Sequence, residues 1–330
     1  MTVRCPTDLI HGDCFIELTG MARHFNVQLK LEGFSATGSI KLKAAVHMIR
    51  EMERDGTIRP GSRLIESSSG NLGLALSMTC AARGYRFTCV SDPNISTVTA
   101  KLIKAYGADL IIVRDHDSNG GYLGTRISLI KTMLKEDDSL VWINQYQNKY
   151  NVDAHQNTTA KEILKHYPSP DFVFIGAGTT GTLGGVSREL RERTPATRIV
   201  AIDSIGSVTF GGAPGKRRIP GLGTSSPPPI RELAQFDDLL MIPESATIAT
   251  CRRLARRGLL LGGSSGTVLA GVASYAARIP ADSCVVAISP DLGDRYADTI
   301  YSDDWVRTHF PELAEALSTL PASPSEQVLS

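Results

Sequence analysis

The sequence predicts an α/β protein built on parallel sheets with helices on both faces. Short β-branched runs alternate with apolar stretches at helical spacing, in strand–helix–strand order. The alternation runs through a first half and repeats in a second. Loops of Gly, Ser and Thr follow strands and open helices. With 330 residues the chain suffices for one large α/β domain or two lobes with separate cores.

Residues 15–18 and 27–32 read as strands, the second alternating in and out. The run from Ala44 to Ile49 has helical spacing and sets a helix over 43–55, stopped by Gly56 and Pro60-Gly61. A buried strand at 63–66 leads through Ser67–Gly73 into a small-residue helix over 74–83, ended by Gly84. Strand 87–91, helix 97–106 and strand 110–113 follow. The second half has helix 121–135, strand 141–144, helix 158–165, strand 172–175, a glycine-threonine loop, a helix from Leu183 and strand 198–203. The long stretch to Pro229, rich in Gly, Pro, Ser and basic residues, reads as a surface loop and not a core element. Helix 246–257, the loop Gly262–Gly266, another helix and strand 284–289 close the fold. Residues 318–330 lack periodicity and are expected to be a disordered tail.

A formal net charge of +1 points away from nucleic acid and anionic membranes. No apolar run approaches the ~20 residues of a membrane span, and the N-terminus lacks the apolar core of a signal peptide. A soluble cytoplasmic protein is expected. Six cysteines without CxxC pairs indicate neither zinc, nor any other metal site, nor a disulfide framework.

The chemistry is expected around Lys41. Gly38 permits unusual backbone geometry and Ser39 is a natural N-cap, which puts Lys41 in the first turn of a helix. A cation is disfavoured there, and a lysine so placed has a lowered pKa and serves as nucleophile or base. The plainer alternative is a solvated lysine at a helix start. Gly176 to Gly185 follows a strand and opens a helix, which makes an anion site. Gly176, Gly178 and Gly181 also satisfy G-x-G-x-x-G, and Asp203 ends the next strand, so a nicotinamide-binding oxidoreductase is a rival. Against it, Thr179, Thr180 and Thr182 suit a terminal phosphate more than a pyrophosphate. Ser67–Gly73 is a second such loop, fit for a small carboxylate, and Gly262–Gly266 a third.

In this order, Gly38-Ser39-Ile40-Lys41, Glu66 to Gly73, Gly178 to Thr182 and Gly262 to Gly266 resemble the fold type II pyridoxal phosphate enzymes, which include cysteine synthase and cystathionine β-synthase. The resemblance covers about residues 28–306. The segments 92–96, 116–126, 142–146 and 294–305 look most similar to the branch that makes N-(2-amino-2-carboxyethyl)-L-glutamate, the precursor of 2,3-diaminopropionate for siderophores and peptide antibiotics. The chain departs from the family at Ser35–Ser39, at Leu42-Lys43 and at Ile10–Cys14.

The resemblance implies a two-lobed molecule, each lobe a mainly parallel sheet flanked by helices. Residues 1–41 and 147–317 would form the large cofactor lobe, and 42–146 the small mobile one. It implies pyridoxal 5'-phosphate on Lys41, its ring hydroxyl on Asn71 and its phosphate on Gly178, Thr179, Thr180, Gly181 and Thr182. Ser264 would meet the ring nitrogen, with Asp291 as alternative. Ser68, Ser69, Asn71 and Gln145 would hold the substrate carboxylate. Arg126 and Tyr146 would meet the extra charge of O-phosphoserine and glutamate, unless Arg126 is a plain helix-surface residue. The implied reaction is a β-replacement through an aminoacrylate in a likewise implied homodimer. Its alternatives are a cysteine synthase, whose sulfide needs no second anion pocket, and a silent regulatory homologue.

Overall fold

The computed structural model describes residues 3–117 and 120–318. Strands β1 (Phe15–Leu18) and β2 (Val27–Leu31) precede α1 (Lys41–Arg54). Then come β3 (Arg63–Ser67), α2 (Asn71–Arg83), β4 (Arg86–Ser91), α3 (Thr97–Ala105), β5 (Asp109–Ile112), α4 (Leu123–Glu136) and β6 (Leu140–Trp142). The second half runs α5 (Tyr150–His155), a π-helical turn at Gln156–Ala160, α6 (Lys161–His166), β7 (Phe172–Gly176), α7 (Gly181–Arg193) and β8 (Arg198–Ser204). It ends with β9 (Asp238–Ile242), α8 (Glu244–Ala255), α9 (Gly263–Tyr275), β10 (Val285–Ser289), α10 (Asp303–His309) and α11 (Pro311–Ser318).

These strands form two sheets. One has the order β1-β2-β10-β7-β8-β9, parallel except where β1 pairs antiparallel with β2. The other has the order β5-β4-β3-β6 and is parallel throughout. Burial on both faces explains the continuous apolar strands. In β7, Phe172 and Phe174 enter one core cluster while Val173 and Ile175 enter the other. In the smaller sheet Leu64 and Cys89 face α1 and α2, while Ile65 and Val90 face Ile130 of α4. The α/β class and the pair of helix-flanked, mainly parallel sheets match the expectation.

Several elements differ from the sequence reading. The helix expected at 158–165 begins eight residues earlier, at Tyr150, because Asn148 accepts the Tyr150 N–H and starts it within a polar run that hides the periodicity. Strand β9 and helices α10 and α11 were not expected; β9 is an edge strand with only Ile242 fully buried. The stretch expected as a surface loop up to Pro229 buries Ser207, Thr209, Ile219, Leu222 and Thr224 and packs over the glycine-threonine loop. Gly206, Gly212 and Gly215 serve close approach to other backbone. The tail expected over 318–330 lies, beyond Ser318, outside the described residues.

Candidate active site

Within each sheet the parallel strands run the same way, so the loops that follow them gather at one edge of that sheet. After β2 the chain turns through Gly38, whose φ of +70° is left-handed. Ser39 pairs with Asp291 in an isolated bridge, and the Ile40 N–H donates to the Pro290 carbonyl at 2.8 Å. Lys41 therefore opens α1 over the end of β10. Ser39 does not act as the side-chain cap that the sequence suggested. Its hydroxyl has no partner, and Ser35 instead braces the turn, accepting from the Ser39 N–H at 3.1 Å and donating to the Ser39 carbonyl at 2.9 Å. Lys41 is half-buried, and burial pulls its ammonium down to about 8.

The glycine-threonine loop joins β7 to α7. Thr180, just before the helix, has φ +69°, and the first-turn N–H groups of α7 point to the loop's concave side. A Cβ at Gly178 would lie 2.8 Å from the Gly221 carbonyl oxygen, and one at Gly181 or Gly185 would collide with Asn151 or with the π-turn. Small residues thus let α7 close on α5. Asn151 donates to the Gln145 carbonyl at 2.9 Å and to Thr179 Oγ1 at 3.1 Å. Thr180 turns its hydroxyl onto the Thr179 carbonyl at 2.6 Å. His155 is wholly buried, Nδ1 at 3.1 Å from Thr159 Oγ1 and Nε2 at 3.3 Å from Thr182 Oγ1. Burial, and then the charges of Lys41 and Lys43, hold its pKa far below the usual imidazole range. A neutral imidazole therefore stands between the lysine and the phosphate-type loop.

At the opposite end Ser264, in the first turn of α9, donates to Asp291 Oδ1 at 3.1 Å. Asn71 and the Tyr296 hydroxyl donate to Oδ2 at 2.8 and 2.7 Å. Burial raises the Asp291 pKa against these three donors. Arg295 completes the set, donating to Asn71 Oδ1 and to the Thr37 carbonyl. The alternatives Ser264 and Asp291 thus belong to one network.

The β3–α2 loop is tightly braced. Ser68 Oγ accepts from the Gly70 and Gly73 N–H groups at 3.3 and 2.9 Å, while Ser69 is half-buried. Gln145 spends its side-chain N–H on the Ser67 carbonyl at 3.0 Å. Beneath lies Glu66, wholly buried, accepting from the Ser67 and Gln145 backbones at 2.7 and 3.0 Å. Burial lifts its carboxyl to about 7. Arg126 is only 7% exposed, so it is not a helix-surface arginine; its Nε lies 3.4 Å from Asp92 Oδ2. The half-buried Tyr146 feels the charges of Arg126 and of Arg217, a residue from the long loop.

Behind the lysine, the departure at Lys43 has a structural counterpart. Lys43 pairs with Glu32 at 2.8 Å, Lys30 with Glu32 at 3.3 Å and with Glu162 at 2.7 Å, and Lys43 also meets Glu162. Lys30 further donates to the Gly12 carbonyl, so the departure at Ile10–Cys14 meets the one at Lys43. Asp203, the acid of the dinucleotide rival, is wholly buried and accepts from the Ser204 N–H at 2.7 Å. It cannot reach a ribose.

Among the described residues no group of His, Cys, Asp or Glu is arranged to hold a metal, and no helix is long and apolar enough to cross a membrane. All six cysteines are free. The residues fit a phosphate-bearing aldehyde cofactor. A depressed amine on α1, a glycine cradle at the N-terminus of α7 and a buried Ser264–Asp291 pair are linked through the Ser39–Asp291 bridge and Gly221, and Ser39 Oγ and Asn151 Oδ1 are buried without partners. Sequence reasoning missed His155, Asn151 and Arg217. Glu66, Tyr296 and Arg295 stood inside motifs named there, without a role.

Comparison with known proteins agrees. The family described as pyridoxal-phosphate dependent enzyme matches residues 6–291. N-(2-amino-2-carboxyethyl)-L-glutamate synthase of Ralstonia nicotianae is 39% identical over 93% of this chain and 92% of its own. The protein of the same name from Cupriavidus metallidurans is 40% identical over 88% of each. The crystal structure of an O-ureido-L-serine synthase, 34% identical, covers 92% of this chain and 98% of its own with a TM-score of 0.82. The chain therefore belongs to the pyridoxal-phosphate dependent enzymes, in the fold type II group of cysteine synthase and cystathionine β-synthase, and its cofactor is pyridoxal phosphate.

Proposed function

We propose that the protein catalyses β-replacement on O-phospho-L-serine by L-glutamate, giving N-(2-amino-2-carboxyethyl)-L-glutamate and phosphate for 2,3-diaminopropionate in a siderophore or peptide natural product. The observation that carries this reading is the near full-length similarity, 39 and 40% identity, to two synthases named for that product. Bound pyridoxal phosphate supplies the electron sink that acidifies the donor Cα–H. Lys41 carries the cofactor, then takes the Cα proton on its amine and returns it after the nucleophile has added; a pKa of about 8 suits both duties. Gly178, Thr179, Thr180, Gly181 and Thr182 hold the cofactor phosphate, with His155 and Asn151 behind them. Asn71 meets the ring hydroxyl, and Ser264, held by Asp291, meets the ring nitrogen.

The Ser68, Ser69 and Asn71 loop, kept in shape by Gln145, grips the donor carboxylate. Arg126 and Tyr146 take the phosphate that leaves. Residues 42–146 close as the small lobe over the large one, 1–41 and 147–317, and keep water out. The protein works in the cytoplasm as a homodimer.

The test mixes the enzyme, loaded with cofactor, with O-phosphoserine and follows phosphate release and product mass. Release that requires glutamate and yields the adduct is expected. Release driven by sulfide and indifferent to glutamate would replace this reading with a cysteine synthase. A cofactor spectrum unmoved by O-phosphoserine or O-acetylserine would indicate a silent homologue.

A further inference from the structure

We propose that Arg217 receives a carboxylate of the incoming amino acid and so sets the choice of nucleophile. The inference rests on the reading above, in which that amino acid is glutamate. Arg217 lies on a stretch pinned at both ends. The Gly215 N–H donates to the Gly206 carbonyl at 3.1 Å, and the Gly223 N–H donates to the Ala177 carbonyl at 2.8 Å, beside the phosphate loop. Between them Gly221, with φ +112°, brings its carbonyl against Gly178 and its Cα against Ser264. Gly223, with φ +71°, leaves the room that the guanidinium occupies, since a Cβ there would collide with it. The loop thus holds Arg217 next to the cofactor cradle.

The guanidinium is only partly compensated. Its NH1 donates to the Leu222 carbonyl at 2.8 Å, while its buried Nε has no partner. The acids whose charges reach it are Asp203 and Glu244. Glu244 is engaged by the Arg218 and Ile219 N–H groups at 2.7 and 2.6 Å, and Asp203 by the Ser204 N–H at 2.7 Å. Arg126, by contrast, already faces Asp92. The charges of both arginines are felt at Tyr146, Arg126 standing on α4 and Arg217 on the long loop. A donor with a carboxylate and a phosphate, followed by a nucleophile with two carboxylates, needs more anion contacts than the Ser68 loop and Arg126 provide. Arg217 supplies the remaining one.

The test compares wild type, Arg217→Met and Arg217→Lys as holoenzymes. Readouts are the KM for glutamate, calorimetric glutamate binding, and the burst of phosphate from O-phosphoserine before glutamate is added. Loss of a charge-assisted hydrogen bond predicts a rise of about 10-fold or more in KM and Kd for glutamate in Arg217→Met, with the phosphate burst changing far less. Arg217→Lys keeps the charge without the planar fork and falls between; it carries the test should the Met variant fold poorly. Glutamine and isoglutamine identify the carboxylate: the analogue lacking it loses its handicap in Arg217→Met. Unchanged glutamate parameters, or a burst weakened as much as glutamate binding, would overturn the assignment. A wild type that gives phosphate but never a glutamate adduct sinks the functional reading and this inference with it.

Discussion

Ser264 donates its hydroxyl to Asp291 at 3.1 Å, so the two groups proposed as partners for the cofactor's ring nitrogen are already joined. Asp291 also accepts from Asn71 and Tyr296 and is buried. Removing the carboxylate strands three donors, while removing the Ser264 hydroxyl strands none.

Asp291→Ala is therefore expected to cost roughly 3 kcal/mol or more, and Ser264→Ala about 1 kcal/mol. Urea denaturation of the two apoproteins measures the difference. Equal losses would show that Asp291 is not the hub.

Lys41→Ala should give a colourless protein with activity reduced by at least about 10³-fold, since both the proposed tether and the proposed proton carrier are lost. In the apoprotein the neutral amine is the reactive form. Burial lowers its pKa, so the rate of cofactor uptake should climb with pH and level off just above about 8, not near the value of a free lysine. Borohydride trapping followed by peptide mapping checks both the site and the midpoint.

His155 and Glu66 should give opposite slopes of stability against pH. His155 is buried neutral, so below about pH 6.5 the unfolded chain binds a proton that the folded one refuses, and stability falls as pH drops. Glu66 has its carboxyl raised to about 7, so between about pH 4.5 and 7 the folded chain holds the extra proton, and stability falls as pH rises. The two partly cancel in the wild type. Urea midpoints from pH 5 to 7 should tilt downward with rising pH in His155→Gln and upward in Glu66→Gln. His155→Gln should also weaken cofactor binding about 2- to 10-fold through Thr182.

Lys43→Met leaves Glu32, which is 3% exposed, facing only Lys30, and is expected to cost about 3–5 kcal/mol. Because the cluster is buried, added salt should change that cost little. The Glu32→Gln/Lys43→Met double variant should recover part of it, and a thermodynamic cycle measures the coupling.

The strands and the loops that follow them were legible because each leaves a local mark: a β-branched run, then small polar residues. Lys41, Asn71, Gly178 to Thr182 and Ser264 stood in such loops, and the structure gathers them. His155 and Asn151 left no mark, since both lie in a polar helix and matter only through α7 packed against them. Arg217 was hidden for another reason. Composition called its stretch a surface loop, and glycine that lets a chain pack closely reads the same as glycine that lets it wander. Glu66 looked like the end of a strand, and only its depth shows that it is a buried acid.

The π-helical turn at Gln156–Ala160 makes the chain one residue longer there than a continuous α-helix would need. Were the same residues wound as a continuous α-helix, everything upstream would rotate by about 100° about the helix axis. His155 would swing off Thr182, and Asn151 off Thr179. Winding at that point, as much as residue identity, sets what faces the glycine-threonine loop, and a substitution that closed the wide turn without shortening the chain would act as a change of register there.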